Sequence, residues 1–133
     1  MSSLTEVIIH CIIEVHRALG PGFLESVYRR ALVVELQCAN LSIEVEKEVV
    51  IFYKGREVGR HRLDLIVENS VIVELKTVEE LSRAHYAQVR SYLKATGLCT
   101  ALLVNFSKEK SDFRRIDAQD QSLSTSPTSP PPP

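Results

Sequence analysis

The sequence lacks a long uninterrupted apolar run, and no stretch approaches the roughly 18–20 residues that a membrane-spanning helix needs. The longest candidate, residues 7–15, is interrupted by His10, Cys11 and Glu14. The N-terminus also lacks the basic stretch that opens a signal peptide. Together these absences predict a cytoplasmic protein that does not act at a membrane.

Cysteine and charge of one sign are also scarce. Cys11, Cys38 and Cys99 each stand alone within apolar sequence, without the spacing of a zinc site or the even count of a disulfide framework. We therefore expect all three to be small buried side chains. The formal net charge is −1, which excludes a protein that holds nucleic acid by bulk charge and leaves only a local basic patch for that purpose.

The sequence divides into one domain, with apolar residues at the spacing of helices and strands, and a C-terminal segment of different composition. Residues 118–133 (AQDQSLSTSPTSPPPP) are rich in Ser, Thr and Pro and cannot bury enough apolar surface to offset their ordering entropy, so we expect them to be disordered. Residues 1–117 form the predicted domain.

The predicted helices and strands follow from apolar residues recurring at helical spacing or alternating with polar ones. Capping-box pairs, Ser3 with Glu6 and Thr77 with Glu80, open the first and third helices. The second helix is apolar around most of its circumference, apart from a polar stripe that includes Arg29, and should be largely buried. The elements are helices at 3–19, 24–39 and 77–96 and strands at 43–53, 57–67, 71–76 and 99–106, with a short further strand as a candidate at 113–116. The order α-α-β-β-β-α-β predicts an α/β fold with a mixed sheet flanked by helices.

Three charged residues on two neighbouring strands are the strongest candidates for chemistry. Glu74 and Lys76 point to the same face of the third strand, and in isolation such a pair is best explained as a structural ion pair. Asp64 lies inside an apolar stretch of the second strand, where a lone acid needs a partner or a metal. A three-residue loop at 68–70 places Asp64 opposite Glu74, whereas a two-residue turn at 69–70 places it on the other face. We expect three.

A pair of carboxylates that converges with a backbone carbonyl suits Mg²⁺ or Mn²⁺, which prefer oxygen ligands. A lysine beside them suits phosphodiester hydrolysis, because it can orient the attacking water and offset the charge of the transition state.

Several separated motifs resemble one known family. An acid in the second strand and Glu-x-Lys in the third look like the core of the PD-(D/E)XK nuclease superfamily. GFLESVY at 22–28 resembles the signature of its GxxExxY branch, as do the flanking stretches at 16–28, 53–59, 64–76 and 85–97. The resemblance covers about residues 4–116 and implies a restriction-endonuclease-like core.

The resemblance also implies roles for individual residues. Asp64 and Glu74 would be metal ligands, with the Leu75 carbonyl as a third, and Lys76 would be the catalytic lysine. Glu25 would complete or support the metal site. A glutamate in the first helical turn is, however, also favoured by capping and the helix dipole alone.

Other side chains are candidates for supporting or substrate-side positions. His85, Gln88 and Tyr92 share a helix face, which either lines the site or is solvated; the last two match a Gln-x-x-x-Tyr element of the RecB-like branch. Tyr28 shares the face of Glu25 and either donates to that carboxylate or packs as an aromatic.

Candidate phosphate contacts lie on or beside the first hairpin, where a solvated surface is the competing explanation. They are Lys54, Arg56, Arg60 and Arg62.

The sequence thus predicts a Mg²⁺- or Mn²⁺-dependent nuclease acting on DNA or RNA. The alternative is a catalytically inactive module that keeps the fold and binds nucleic acid or protein without turnover. Small size and near-neutral charge favour a homodimer, or a partner protein that helps to grip the substrate.

Overall fold

The computed structural model describes residues 3–118, so the predicted disordered segment lies outside the described residues apart from Ala118. The elements are α1 (Leu4–Leu19), α2 (Glu25–Cys38), β1 (Ile43–Tyr53), β2 (Arg56–Val67), β3 (Val71–Lys76), α3 (Arg83–Thr96), β4 (Thr100–Asn105) and β5 (Asp112–Asp117). The five strands form one sheet in sequence order, antiparallel throughout except for the parallel pair β3 and β4. The predicted α/β fold and element order are confirmed. No helix among residues 3–118 is long and apolar enough to cross a membrane.

The sheet is covered by helices on both faces. On one face, Ile8 and Ile12 of α1 and Leu32 of α2 pack on a cluster that includes Leu65 and Val73. On the other face, α3, which connects β3 to β4, packs against the remaining side chains of the same strands. The two central strands are therefore buried on both sides, as the continuous apolar run at 99–106 predicts.

The loop between β2 and β3 has the predicted length. Val67 pairs with Val71, so residues 68–70 form a three-residue connection. Regular β2–β3 pairing covers only three residue pairs and ends at Leu65 and Val73, whereas β1 and β2 stay paired as far as Tyr53 and Arg56. The distal part of the β1–β2 hairpin, residues 47–63, thus extends beyond the β2–β3 pairing, and we call it the hairpin arm.

Two of the expectations about the helices are wrong in detail. The third helix does not start at the Thr77–Glu80 pattern; its N-cap is Ser82, which forms a capping box with His85. The preceding segment is held out of helical geometry because the buried Asn105 side chain bonds both the N–H and the carbonyl of Val78. The Ser3–Glu6 capping box of α1 is confirmed.

The second helix buries much less than its composition suggests. Only Tyr28, Leu32 and Leu36 are fully buried, a single stripe, and Val34 is 57% exposed. The cysteine expectation is also wrong for two of the three residues, because Cys38 ends α2 and Cys99 precedes β4, both at the surface. Cys11, which faces the core from α1, is buried as predicted.

The observed start of α3 gives a first testable prediction. Ser82→Ala removes the cap side chain and should lower the free energy of unfolding by about 1 kcal/mol. Thr77→Ala, the matched change at the position that the pattern favours, should cost less than about 0.5 kcal/mol. Urea denaturation of both variants measures this, and a larger cost at Thr77 would contradict the assigned helix start.

Candidate active site

The centre of the candidate site is the point where β2 and β3 separate, which we call the strand fork. The register places Asp64 opposite Glu74, one step beyond the last regular pair. Beyond that pair, carboxylate oxygens accept the backbone N–H groups that a strand partner would otherwise bond. Asp64 Oδ2 accepts the N–H of Leu75 at 2.8 Å, and Glu74 Oε1 accepts the N–H of Asp64 at 3.2 Å. Both carboxylates are thereby fixed by the main chain of the opposite strand.

A local irregularity of β2 accompanies this arrangement. Residues two apart in a regular strand share a face, yet Leu63 packs in the cluster with α3 and Leu65 in the cluster with α1 and α2. The alternation therefore changes at Asp64. Glu46, which lies across from Asp64 in β1, has a positive φ of 52°, so the neighbouring strand is distorted at the same level.

Burial disfavours the ionised form of the carboxylates at the fork. Glu74 is 6% exposed; burial, followed by repulsion from Asp64, raises its pKa to about 8. Burial also raises the pKa of Asp64, although the Leu75 N–H and Arg29 oppose this. Burial and the charge of Asp64 raise the pKa of Glu25 as well. The three predicted acids thus act on one another electrostatically, and their mutual repulsion favours the protonated forms.

One cation that contacts the fork, Arg29, was not predicted from the sequence. Arg29 reaches from α2 to within 3.5 Å of Asp64 Oδ1 and also pairs with Glu46 at 3.3 Å. Its side chain is 18% exposed, although the sequence pattern placed it on a solvated stripe. The available signal was its spacing, because a residue four positions after Glu25 shares that helix face.

The predicted catalytic lysine has a defined partner. Lys76 Nζ donates to Gln88 Oε1 of α3 at 3.0 Å, so the first member of the Gln-x-x-x-Tyr element lies next to Lys76. Tyr92 is 4% exposed, and burial, with the charges of Glu74 and Asp64, raises its pKa to about 12. Its ring packs edge-on against His61, with centroids 5.1 Å apart.

Other predicted site residues have different partners. The Tyr28 hydroxyl donates to the Gly20 carbonyl and accepts the Phe23 N–H, so of the two alternatives for this residue the hydrogen bond to Glu25 is not formed. The ring of Tyr28 stacks on Phe106 with centroids 4.4 Å apart.

His85 is used in the α3 cap, where its Nδ1 accepts the Ser82 N–H at 2.9 Å. Among the cations of the hairpin, Arg60 is neutralised by Glu57 and Glu48, and Lys54 lies over the Tyr53 ring. Arg56 and Arg62 are exposed on β2, so the four side chains do not form one uncompensated patch.

A buried amide that the sequence analysis overlooked supports the end of β3. Asn105 pairs with Lys76 in the β3–β4 register and is fully buried. Its contacts with Val78 fix the chain just after the lysine. The signal was present as the only strongly polar residue within the apolar run at 99–106.

A sequence profile described as the PD-(D/E)XK nuclease superfamily matches residues 2–116. The chain belongs to this superfamily. The match covers the sheet except for the last residue of β5, and it includes every residue of the strand fork. No curated protein sequence gives a significant match.

Two solved structures share the fold of this superfamily member. The crystal structure of SSO0001 has a TM-score of 0.58 and 21% identity, covering 74% of this chain, which spans about half (53%) of that chain. An alkaline exonuclease (LHK-Exo) from Laribacter hongkongensis has a TM-score of 0.53 and 11% identity, covering 95% of this chain and 76% of that one. At these identities the likeness concerns the fold.

The superfamily implies a divalent metal, and the residues of the fork fit one by their chemistry. Asp64 and Glu74 are hard oxygen donors, and a cation would offset their repulsion. Glu74 Oε2 accepts no hydrogen bond within residues 3–118, although the side chain is buried. Over the same residues, no three His, Cys, Asp or Glu side chains are already grouped as a metal site, and Arg29 lies against one oxygen of Asp64.

The raised pKa of Glu74 predicts a pH-dependent stability in metal-free buffer. Between the unfolded pKa near 4.5 and the folded value of about 8, the folded state holds more protons, so stability falls as pH rises. Glu74→Gln does not titrate. Its stability relative to the parent chain should therefore increase by at least about 1 kcal/mol from about pH 5 to about pH 8.

Urea denaturation with EDTA at several pH values measures this difference. Glu109→Gln, at an exposed position, is the matched control and should track the parent chain. A pH-independent difference between Glu74→Gln and the parent would show that Glu74 is ionised in the folded state.

Proposed function

We propose that this chain is a Mg²⁺- or Mn²⁺-dependent nuclease that hydrolyses phosphodiester bonds of DNA or RNA. The observation that carries the proposal is the strand fork itself, where the buried Glu74 lies opposite the partly buried Asp64 and Lys76 ends β3. The motif GFLESVY at 22–28 supports assignment to the GxxExxY branch of the superfamily. One of the structures that share the fold is an alkaline exonuclease, which agrees with this class of reaction.

Asp64 and Glu74 would hold the metal, with the Leu75 carbonyl as a further oxygen ligand. The metal, when bound, supplies a concentrated positive charge that polarises a phosphate oxygen. The backbone N–H groups of Leu75 and Asp64 keep the two carboxylates fixed, which reduces the reorganisation needed for binding. Arg29 would have to move away from Asp64 Oδ1, while its contact with Glu46 offers it an alternative partner.

Lys76 would act on the reacting phosphate and on the attacking water. Its ammonium group can donate to a developing negative charge on phosphorus-bound oxygens. Gln88 can accept only through its side-chain oxygen, and the 3.0 Å contact to Nζ leaves the other ammonium protons free to donate. We therefore assign Gln88 a positioning role.

Glu25 would add negative charge at the metal site from the first turn of α2. It is the first residue of the helix, and the N-cap Leu24 has no side-chain capping bond. A capping role for Glu25 is thus the competing explanation. Its mutual repulsion with Asp64 favours the metal role, because a cation would relieve that repulsion.

The alternative function, a catalytically inactive binding module, has one specific observation in its favour. Arg29 already provides Asp64 with a cationic partner at 3.5 Å, and a permanent ion pair there would replace the metal. The two functions differ in whether divalent metal stabilises the fold and supports cleavage.

Replacing the lysine tests the proposed chemistry. Lys76→Ala should lower metal-dependent cleavage by about 100-fold or more, because a charge that stabilises the transition state is lost. Metal affinity, measured by calorimetry with Mn²⁺, should not weaken. Lys76→Arg should not restore cleavage, since a guanidinium has a different geometry and does not release its proton.

The assay uses single- and double-stranded DNA and RNA with Mg²⁺ or Mn²⁺. Asp64→Ala serves as the negative control and Lys110→Ala, at an exposed position, as the matched charge control. Full cleavage by Lys76→Ala would refute the catalytic role. Metal binding without cleavage by the parent chain on any substrate would favour the inactive module.

Replacing Glu25 separates its two explanations. Glu25→Gln keeps the shape but removes the charge, so Mg²⁺ or Mn²⁺ should raise the melting temperature by less than in the parent chain. Without metal, the free energy of unfolding should change by less than about 0.5 kcal/mol. A variant that melts earlier yet gains the full metal-induced shift would identify Glu25 as a helix-terminal residue only.

A further inference from the structure

A groove next to the strand fork lies between the hairpin arm and α3. Residues 50–52 of β1 and His61 of β2 form one wall, and Arg90, Ser91 and Lys94 of α3 contribute to the other. Its volume is about 760 Å³, within the roughly 300–1,000 Å³ of pockets that hold small molecules. We call it the arm groove. It is large enough for a ligand and outside the set of proposed catalytic residues.

The charge of the arm groove has one sign. Arg90 and Lys94 are its only fully charged lining residues, and no carboxylate lines it. Within residues 3–118 neither forms an ion pair, whereas Arg60 on the arm is neutralised by Glu57 and Glu48. Two uncompensated cations one helical turn apart match an anionic ligand with repeated charges, such as a nucleic-acid backbone.

The opposite wall of the arm groove is apolar and aromatic. The Phe52 side chain lines it and is 65% exposed. Every nucleobase has a flat face that stacks on such a ring, so an exposed aromatic beside cations is typical of single-strand binding.

The arm groove also adjoins the proposed catalytic residues. His61 lines the groove and packs against Tyr92. Along α3, Ala87 lines the groove and the next residue, Gln88, bonds Lys76. A strand held in the groove would therefore pass close to the strand fork.

We propose that the arm groove binds single-stranded nucleic acid, with an unpaired base against Phe52 and backbone phosphates on Arg90 and Lys94. This deepens the proposed nuclease function, on which it rests, by naming the class of substrate. A duplex fits less well, because a paired base has to leave its stack before it can meet the Phe52 ring.

The test measures binding without hydrolysis. Fluorescence anisotropy of a short labelled oligonucleotide is recorded in EDTA, with DNA and RNA single strands and the DNA duplex as separate arms. The parent chain should bind a single strand more tightly than the duplex. Binding of either the DNA or the RNA strand supports the proposal, and the ratio of the two affinities identifies the preferred sugar.

Variants in the two walls should fail in different ways. Phe52→Ala should weaken single-strand binding about tenfold through lost stacking, with Phe52→Leu as a second variant that keeps an apolar side chain. Arg90→Ala combined with Lys94→Ala should also weaken binding. It should reduce the slope of log affinity against log salt by about 1.4, the value for two phosphate contacts on a single strand.

The control removes two charges elsewhere. Arg17 lies on α1, which packs on the sheet face opposite α3, and Lys110 precedes β5. Arg17→Ala combined with Lys110→Ala should leave affinity and salt slope unchanged, and circular dichroism should show that every variant is folded. Equal binding by the groove variants and the parent, or tighter binding of the duplex, would overturn the proposal and leave the groove to another occupant.

The binding test and the cleavage test can refute the two proposals independently of each other. Groove-dependent binding without cleavage under any metal would refute the proposed nuclease activity and leave the groove assignment standing. Cleavage that depends on Lys76 but not on Phe52, Arg90 or Lys94 would refute the groove alone.

Discussion

The separation of β2 from β3 is the constraint on which the rest of the site depends. Backbone N–H groups that lose a strand partner in the interior need another acceptor, and the carboxylates of Asp64 and Glu74 provide it. The same bonds hold two acids together in a buried place, where their charges repel. Arg29 of α2 offsets part of the negative charge of Asp64. A second cation, Lys76, lies at the end of β3, two residues after Glu74. Structure and proposed chemistry thus follow from one interruption of the sheet.

Much of the fold could be predicted because its signals are local. Strand alternation, the apolar run at 99–106 and the Ser3–Glu6 cap depend on nearby residues, and they gave the element order. The length of the β2–β3 loop fixed which residues face each other, so Asp64 could be placed opposite Glu74. The start of α3 could not be predicted, because the contact between Asn105 and Val78 joins residues far apart in the sequence.

The site was predicted less completely, for a similar reason. Arg29 lies on a stripe that the sequence presents as solvated, and only the approach of α2 to β2 gives it an acidic partner. For Tyr28 and His85, helical spacing left two alternatives open, and it is the packing on Phe106 and the cap of α3 that decide them. The arm groove depends on how far the hairpin extends past the sheet, which no periodicity encodes. The roles of the acids, the partner and the cytoplasmic location stay predictions.

The order of the strands leaves β1 and β5 at the two open edges of the sheet. An unpaired edge exposes backbone donors and acceptors that could join the edge of another molecule. Along β1 the exposed side chains include Glu44, Glu46 and Glu48. If two copies paired antiparallel through β1 about Glu46, Glu44 of one copy would face Glu48 of the other. Like charges directly opposite one another destabilise a strand pair. In that register the facing acids therefore disfavour a continuous intermolecular sheet through β1, unless Lys47, Arg29 and Arg60, which pair with them in this chain, keep those contacts.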